Sequence, residues 1–209
     1  MESVLFTIVI LILSIIIHEV AHGYAANALG DPTAKLAGRL TLNPIPHIDL
    51  VGSILIPGLM VLTNAGILFG WAKPVPYNPH NLRNARWGEA IVGVAGVATN
   101  LFIALIFALI TRYAFSAGMD TFGTFTATIV LVNLFLGLFN LIPFPPLDGF
   151  TVLRGLLPLR YALSLQRFED SIMRGGFFTL ILFLIVFSYV FAAPFFAFVQ
   201  ETFRFLVGI

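Results

Sequence analysis

His18-Glu19-Val20-Ala21-His22 places two imidazoles four residues apart, with a carboxylate directly after the first. On a helix, positions i and i+4 differ by about 40° of rotation, so both rings leave the same face. Two neutral imidazoles at that spacing can hold one Zn²⁺, and Glu19 then stands beside the metal as a base toward water. All three residues lie in an apolar run with no other charge between Glu2 and Asp31. An ionisable group near the centre of a bilayer costs roughly 2.5–3.5 kcal/mol. One shared metal site accounts for all three. The plainer alternatives are histidines bonded to a neighbouring helix and a glutamate on a proton or ion path. Neither accounts for the spacing.

A catalytic zinc takes three protein ligands and keeps one position open. The chain has no cysteine, which excludes thiolate sites, a cysteine nucleophile and disulfides. Asp148, in Phe144-Pro145-Pro146-Leu147-Asp148-Gly149, is the leading third donor. Its plainer reading is the N-cap of a helix starting near Thr151. His47 and Asp49 are weaker candidates, and His80 belongs to a polar loop.

Composition says what scaffold must position these groups. Of the 209 residues, 59% are hydrophobic and only 10% charged, against about 25% charged in a soluble domain. Mean hydropathy is +0.99. Such a chain cannot cover a globule with polar surface, so it reads as a polytopic membrane protein. The net charge of +1 leaves no basic excess for phosphates, which argues against nucleic-acid binding. The N-terminus lacks a basic region and a cleavage site, so it reads as the first half of a span rather than a removable leader.

Four stretches reach about the 20 apolar residues a crossing needs: residues 4–29, 90–110, 122–142 and 177–191. Pro194 is expected to separate the last from a short helix at 195–207. Residues 151–174 mix leucines with Arg154, Arg160, Arg167 and Arg174, which suits an interfacial amphipathic helix interrupted at Pro158. Residues 50–69 are apolar too, but Gly52, Pro57, Gly58, Asn64 and Gly66 interrupt them. This segment either crosses or re-enters, and the basic residues weigh on the choice. If it re-enters, Lys35, Arg39, Lys73, Arg83, Arg86, Arg154, Arg160, Arg167 and Arg174 share one face and Arg112 alone lies opposite. A crossing makes the split less lopsided. The positive-inside rule favours re-entry, with the N-terminus outside. Asp148 asks for the same topology. It can meet the histidines only if the first and third spans run parallel, with one crossing between them.

With these residues in view, the sequence resembles the site-2 protease family of intramembrane zinc metalloproteases. The resemblance rests on His18-Glu19-Val20-Ala21-His22-Gly23-Tyr24, on Leu29-Gly30-Asp31-Pro32-Thr33-Ala34-Lys35, and on Gly38-Arg39-Leu40-Thr41-Leu42-Asn43-Pro44 through His47-Ile48-Asp49. It continues in Phe69-Gly70-Trp71-Ala72-Lys73-Pro74-Val75-Pro76, and in Asn140-Leu141-Ile142-Pro143 through Pro146-Leu147-Asp148-Gly149. These motifs lie within residues 1 to about 160 and look like the short prokaryotic branch without a PDZ domain. The resemblance implies His18, His22 and Asp148 as Zn²⁺ ligands, Glu19 as catalytic base and Asn140 as a polar partner of substrate or transition state. Where the family often carries A-G-P-x-x-N, this chain has Ala95-Gly96-Val97-Ala98-Thr99-Asn100. Val97 replaces the proline, and Asn100 is kept as an oxyanion or orienting residue.

The expectation is therefore an all-α polytopic membrane protein. A three-helix catalytic core carries C-terminal helices, with a re-entrant or short extended segment between the first two core spans. Residues 1–150 form the metalloprotease core. Residues 151–209 supply an interfacial amphipathic helix and a C-terminal transmembrane helix or hairpin. The function implied is cleavage of a peptide bond within or near a transmembrane segment of a membrane-protein substrate. The setting is the lipid bilayer of a prokaryotic plasma membrane, with the active site toward the cytoplasmic side. The extended return after residue 69 is expected to offer an unwound substrate a strand edge. A metal or proton transporter and an inactive binding relative are the alternatives.

Overall fold

Apolar length sets the architecture: among the described residues, four helices are long and apolar enough to cross a bilayer, Val4–Ala28, Trp87–Ser116, Asp120–Asn140 and Ile181–Val207. The computed structural model describes residues 2–62 and 71–208. In chain order, α1 (Glu2–Ala28) is followed by the one-turn α2 (Thr33–Leu36), a 3₁₀ turn at Ile45–His47, and a π-helical turn, Leu50–Leu55, that runs into α3 (Ile56–Leu62). Residues 71–78 carry no regular structure, and a 3₁₀ turn at Pro79–Asn81 leads into α4 (Ala85–Ser116). Then come α5 (Asp120–Asn140), α6 (Asp148–Leu156), α7 (Leu159–Arg174), α8 (Gly176–Val186), a second π turn at Phe187–Phe191, and α9 (Ala192–Val207).

Local chemistry sets the boundaries. Asn84 caps α4 by accepting the Trp87 N–H, and Asp49 caps the first π turn by accepting from Val51 and Gly52. Between α4 and α5, Gly118 adopts φ +71°, a left-handed conformation that lets the chain reverse at once. Pro158 separates α6 from α7, as the sequence leads one to expect.

Side-chain pairs set the directions. Asn100 on α4 lies beside Ser14, and Val92 beside His22, so α1 and α4 are antiparallel. Asn100 also meets Asn133, and Thr111 meets Thr126, so α4 and α5 are antiparallel too. Hence α1 and α5 run parallel. Small residues allow the close approach: Ala104 and Ala108 on α4 pack with Val130 and Leu134 on α5 and with Val199 and Val207 on α9. At the other end, the Arg83 N–H donates to the Leu29 carbonyl. The buried Asp31 accepts from the Asn78 N–H and Asn81 Nδ2. The chain thus leaves α1 and enters α4 at the same end of the bundle.

One sequence expectation changes here. Pro194 does not divide the last apolar stretch; the chain stays helical from α8 through α9. The π turn before it resets the hydrogen-bond register, with the Ala192 N–H reaching back to the Phe187 carbonyl. Pro194 then falls at the third position of α9, in a first turn that tolerates its missing N–H. Arg112, alone on its face in the charge count, is engaged with the chain terminus. Its Nε donates to the Leu206 carbonyl at 2.7 Å and Nη2 to the Phe205 carbonyl at 2.5 Å, closing the end of α9.

Candidate metal centre and active site

The parallel run of α1 and α5 brings the end of α5 level with the second half of α1. The chain then turns through prolines 143, 145 and 146, and α6 begins at Asp148. Gly149 makes this possible: a Cβ there would lie 2.1 Å from the Leu141 carbonyl oxygen. Asp148 does not cap α6. Leu147 holds the N-cap position, and the Asp148 side chain turns toward α1.

There its Oδ2 lies 2.9 Å from His18 Nε2 and 3.3 Å from His22 Nε2, while the two Nε2 atoms are 3.0 Å apart. His18, His22 and Asp148 offer three ligand atoms to one point, the two histidine side chains being 7% and 11% exposed. Donors about 2.0–2.1 Å from a tetrahedral zinc stand about 3.3–3.4 Å from one another, so the triangle has the size of one face of that site. Asp148 Oδ2 is buried and makes no directed hydrogen bond, which is how a ligand oxygen is left when its partner is a cation. Gly96 supplies the room. A Cβ at that position would sit 2.5 Å from His22 Nε2 and 2.7 Å from His18 Cε1. The residues present fit a zinc ion.

Behind this donor triangle, each imidazole is oriented through its other nitrogen. His22 Nδ1 lies 2.6 Å from the Val92 carbonyl, and His18 Nδ1 lies 2.5 Å from Asn100 Oδ1. Asn100 is fully buried, and its Nδ2 donates to Asn133 Oδ1 at 2.9 Å. An oxyanion role needs a donor facing the reacting carbonyl, and Asn100 instead stands behind His18 with its N–H groups turned away.

In front of the ligands is a cavity of about 240 Å³ whose lining includes Glu19, Val75, Tyr77, Asn140, Pro146 and Thr151. Glu19 Oε2 accepts the Val75 N–H at 2.8 Å. Asn140 ties one N–H to the Leu136 carbonyl of its own helix and faces the cavity. Burial pushes the Tyr77 phenol up to about 12, with Glu89 adding to the effect, so Tyr77 is a neutral hydrogen-bond donor at neutral pH. Arg154 joins Glu89 on α4 to Glu169 on α7, tying α6 in place beside Tyr77. His47 and Asp49 stay apart from this centre. His47 Nε2 lies 2.9 Å from the Thr41 carbonyl, and Asp49 serves as a cap. His80 is exposed.

Comparison with known proteins gives the chain a family. The model of peptidase family M50 matches residues 112–183, which include Asn140 and Asp148. YwhC of Bacillus subtilis, named as a zinc metalloprotease, is 44% identical over 73% of this chain and 69% of its own length. The chain belongs to peptidase family M50. Two further relatives are also named as zinc metalloproteases. Rip2 of Mycolicibacterium smegmatis is 29% identical over 68% of this chain and 53% of its own, and MJ0392 of Methanocaldococcus jannaschii 26% over 76% and 36%. No solved structure matches the chain. Sequence reasoning about this M50 peptidase missed Tyr77, Asn133 and the steric role of Gly96. Their importance lies in contacts across helices, which no local spacing announces.

Proposed function

We propose that this chain hydrolyses a peptide bond within or next to a transmembrane segment of a membrane-protein substrate, using His18, His22 and Asp148 as metal ligands and Glu19 as general base. Membership of family M50 makes it a zinc metalloprotease, and its four apolar helices make it an integral membrane protein. The observation that carries the residue assignment is the donor triangle of His18, His22 and Asp148 beside Glu19, deep in the bundle.

A bound Zn²⁺ supplies Lewis-acid activation of water and of the scissile carbonyl. The residues do the rest. Val75 holds Glu19 Oε2, so Oε1 takes the proton from the attacking water and later passes it to the leaving amine. Asn140 and Tyr77 face the same cavity and offer neutral donors to the developing oxyanion. Asn100 and the Val92 carbonyl keep the two imidazoles turned toward the centre.

Residues 50–69 are read as re-entrant. The Trp71 N–H donates to the Gly52 carbonyl, and Ser53 Oγ donates to the Trp71 carbonyl, so the chain is beside itself again after this segment. Residues 63–70 lie outside the described residues. The arrangement supports a catalytic core at 1–150 with 151–209 as its interfacial and C-terminal part. The distribution of basic residues favours the catalytic end on the cytoplasmic side and the N-terminus outside, in a membrane read as a prokaryotic plasma membrane. Residues 71–78 form the wall along which an unwound substrate lies. They are not a regular strand, and Pro74 and Pro76 lack an N–H. The N–H groups of Trp71, Lys73 and Val75 are already engaged. The carbonyls of Trp71 and Lys73 also accept already, from Ser53 Oγ and Arg39 Nη2, so a substrate donor would meet the carbonyls that remain along the wall.

The deciding experiment is Glu19→Gln, reconstituted in liposomes with a candidate membrane substrate. Loss of a general base is expected to slow cleavage by about 10²–10⁴-fold while zinc content stays at the wild-type level. Undiminished cleavage by this variant ends the assignment of Glu19.

A further inference from the structure

Resting on the metal-site reading above, we propose that Asn133 is a positioning residue. It sets the polarity of a buried amide pair and thereby holds His18 in the tautomer that presents a bare Nε2 to the metal. An imidazole binds metal through a nitrogen without a proton, so His18 is competent at Nε2 only while Nδ1 carries the proton. What faces Nδ1 is the Asn100 amide. A primary amide has a donor end and an acceptor end of nearly equal shape, and its surroundings decide which way it turns. With the oxygen toward His18, the proton stays on Nδ1. With the nitrogen toward His18, the proton is driven to Nε2 and the metal position is blocked.

The choice is made on α5. Asn133 Nδ2 is 3.0 Å from the Ile129 carbonyl, one turn earlier on its own helix. That carbonyl can only accept, so Asn133 must turn its nitrogen there and its oxygen toward α4. Asn100 meets this oxygen at 2.9 Å, and the Ser14 carbonyl more distantly at 3.5 Å, and so presents its nitrogen to both. Its own oxygen is left for His18. One acceptor-only carbonyl thus dictates, through two amides, where the proton of a metal ligand sits. Asn100 and Asn133 are both 0% exposed, so no bulk water can substitute for a reversed bond. His22 reaches the same state in one step, against the Val92 carbonyl.

Two measurements test this. In wild-type protein, ¹⁵N chemical shifts of the His18 ring are expected to show a proton on Nδ1, the nitrogen that faces Asn100 Oδ1, whatever Nε2 carries beside Asp148; a bare Nδ1 overturns the proposal without any variant. In chelator competition, Asn133→Leu is expected to weaken zinc binding by about 10–100-fold, the scale of changes behind a ligand. Adding Asn100→Asp to Asn133→Leu is expected to restore most of that affinity. The introduced carboxyl group presents an acceptor to His18 whether ionised or neutral with its O–H on the Ser14 carbonyl. Wild-type affinity in Asn133→Leu, or a loss that the second substitution does not repair, leaves Asn133 as interhelical adhesive and overturns the proposal. Wild-type protein that binds no zinc refutes the metal-site reading instead, and the ring shifts still report on the amide relay.

Discussion

Gly96 is the point at which one added carbon meets the metal centre. Its missing Cβ is the space that His22 Nε2 and His18 Cε1 occupy. Gly96→Ala is therefore expected to displace both rings and weaken zinc binding at least about tenfold, about 1.4 kcal/mol and so within the roughly 1–3 kcal/mol typical of overpacking. Chelator competition reads it, and unchanged affinity refutes the steric argument. Asp148→Ala is expected to weaken zinc binding by about 100-fold or more, beyond the scale of changes behind a ligand; wild-type affinity would remove Asp148 from the ligand set. The two histidines and Glu19 were legible because helical spacing is local. Asp148 needed one more step, the parity of the spans. Asn133 and Gly96 act only across helices, and nothing in their immediate sequence distinguishes them from interhelical packing residues.

Between elements, the joint of α1 with the turn before α4 depends on one carboxylate. Burial opposes the charge on Asp31, but hydrogen bonds from Thr33, Asn78 and Asn81 outweigh it and hold the carboxyl below its ordinary range. A depressed pKa contributes stability above the unfolded value of about 3.9 and loses it as pH falls further. Asp31→Asn is expected to cost about 2–3 kcal/mol at neutral pH, by leaving buried donors unmatched. The melting-temperature gap to wild type should close as pH falls below about 4, and a gap independent of pH would rule out the charge. Helix positions were readable from apolar length. The joining of α8 to α9 was not, because a proline normally stops a helix and a π turn has no signature in composition.

At the scale of the whole molecule, charge and parity point to one topology. Arg112 and the end of α9 meet, so Arg204 lies on the Arg112 side of the bundle. The basic residues then divide nine to two, which keeps the sense of the positive-inside argument. Because the chain has no cysteine, single cysteines introduced at the exposed Leu36 and Tyr161 report without background. Both are expected to react with an impermeant thiol reagent from the cytoplasmic side, and one at Gly118 from the other. Labelling of Leu36→Cys and Tyr161→Cys from opposite sides would show that residues 50–69 cross. Composition revealed the membrane and the motif revealed the metal. Whether the segment at 50–69 crosses or re-enters is what this labelling decides.

Val75 is the residue where recognition and chemistry meet. Its N–H steadies Glu19, and its neighbours Trp71 and Lys73 are tethered to the Gly52 and His47 carbonyls. On the proposed mechanism, Glu19 is thus the last link of a tether anchored in the loop at 47–52. Slack along that tether is expected to slow turnover while zinc affinity stays at the wild-type level.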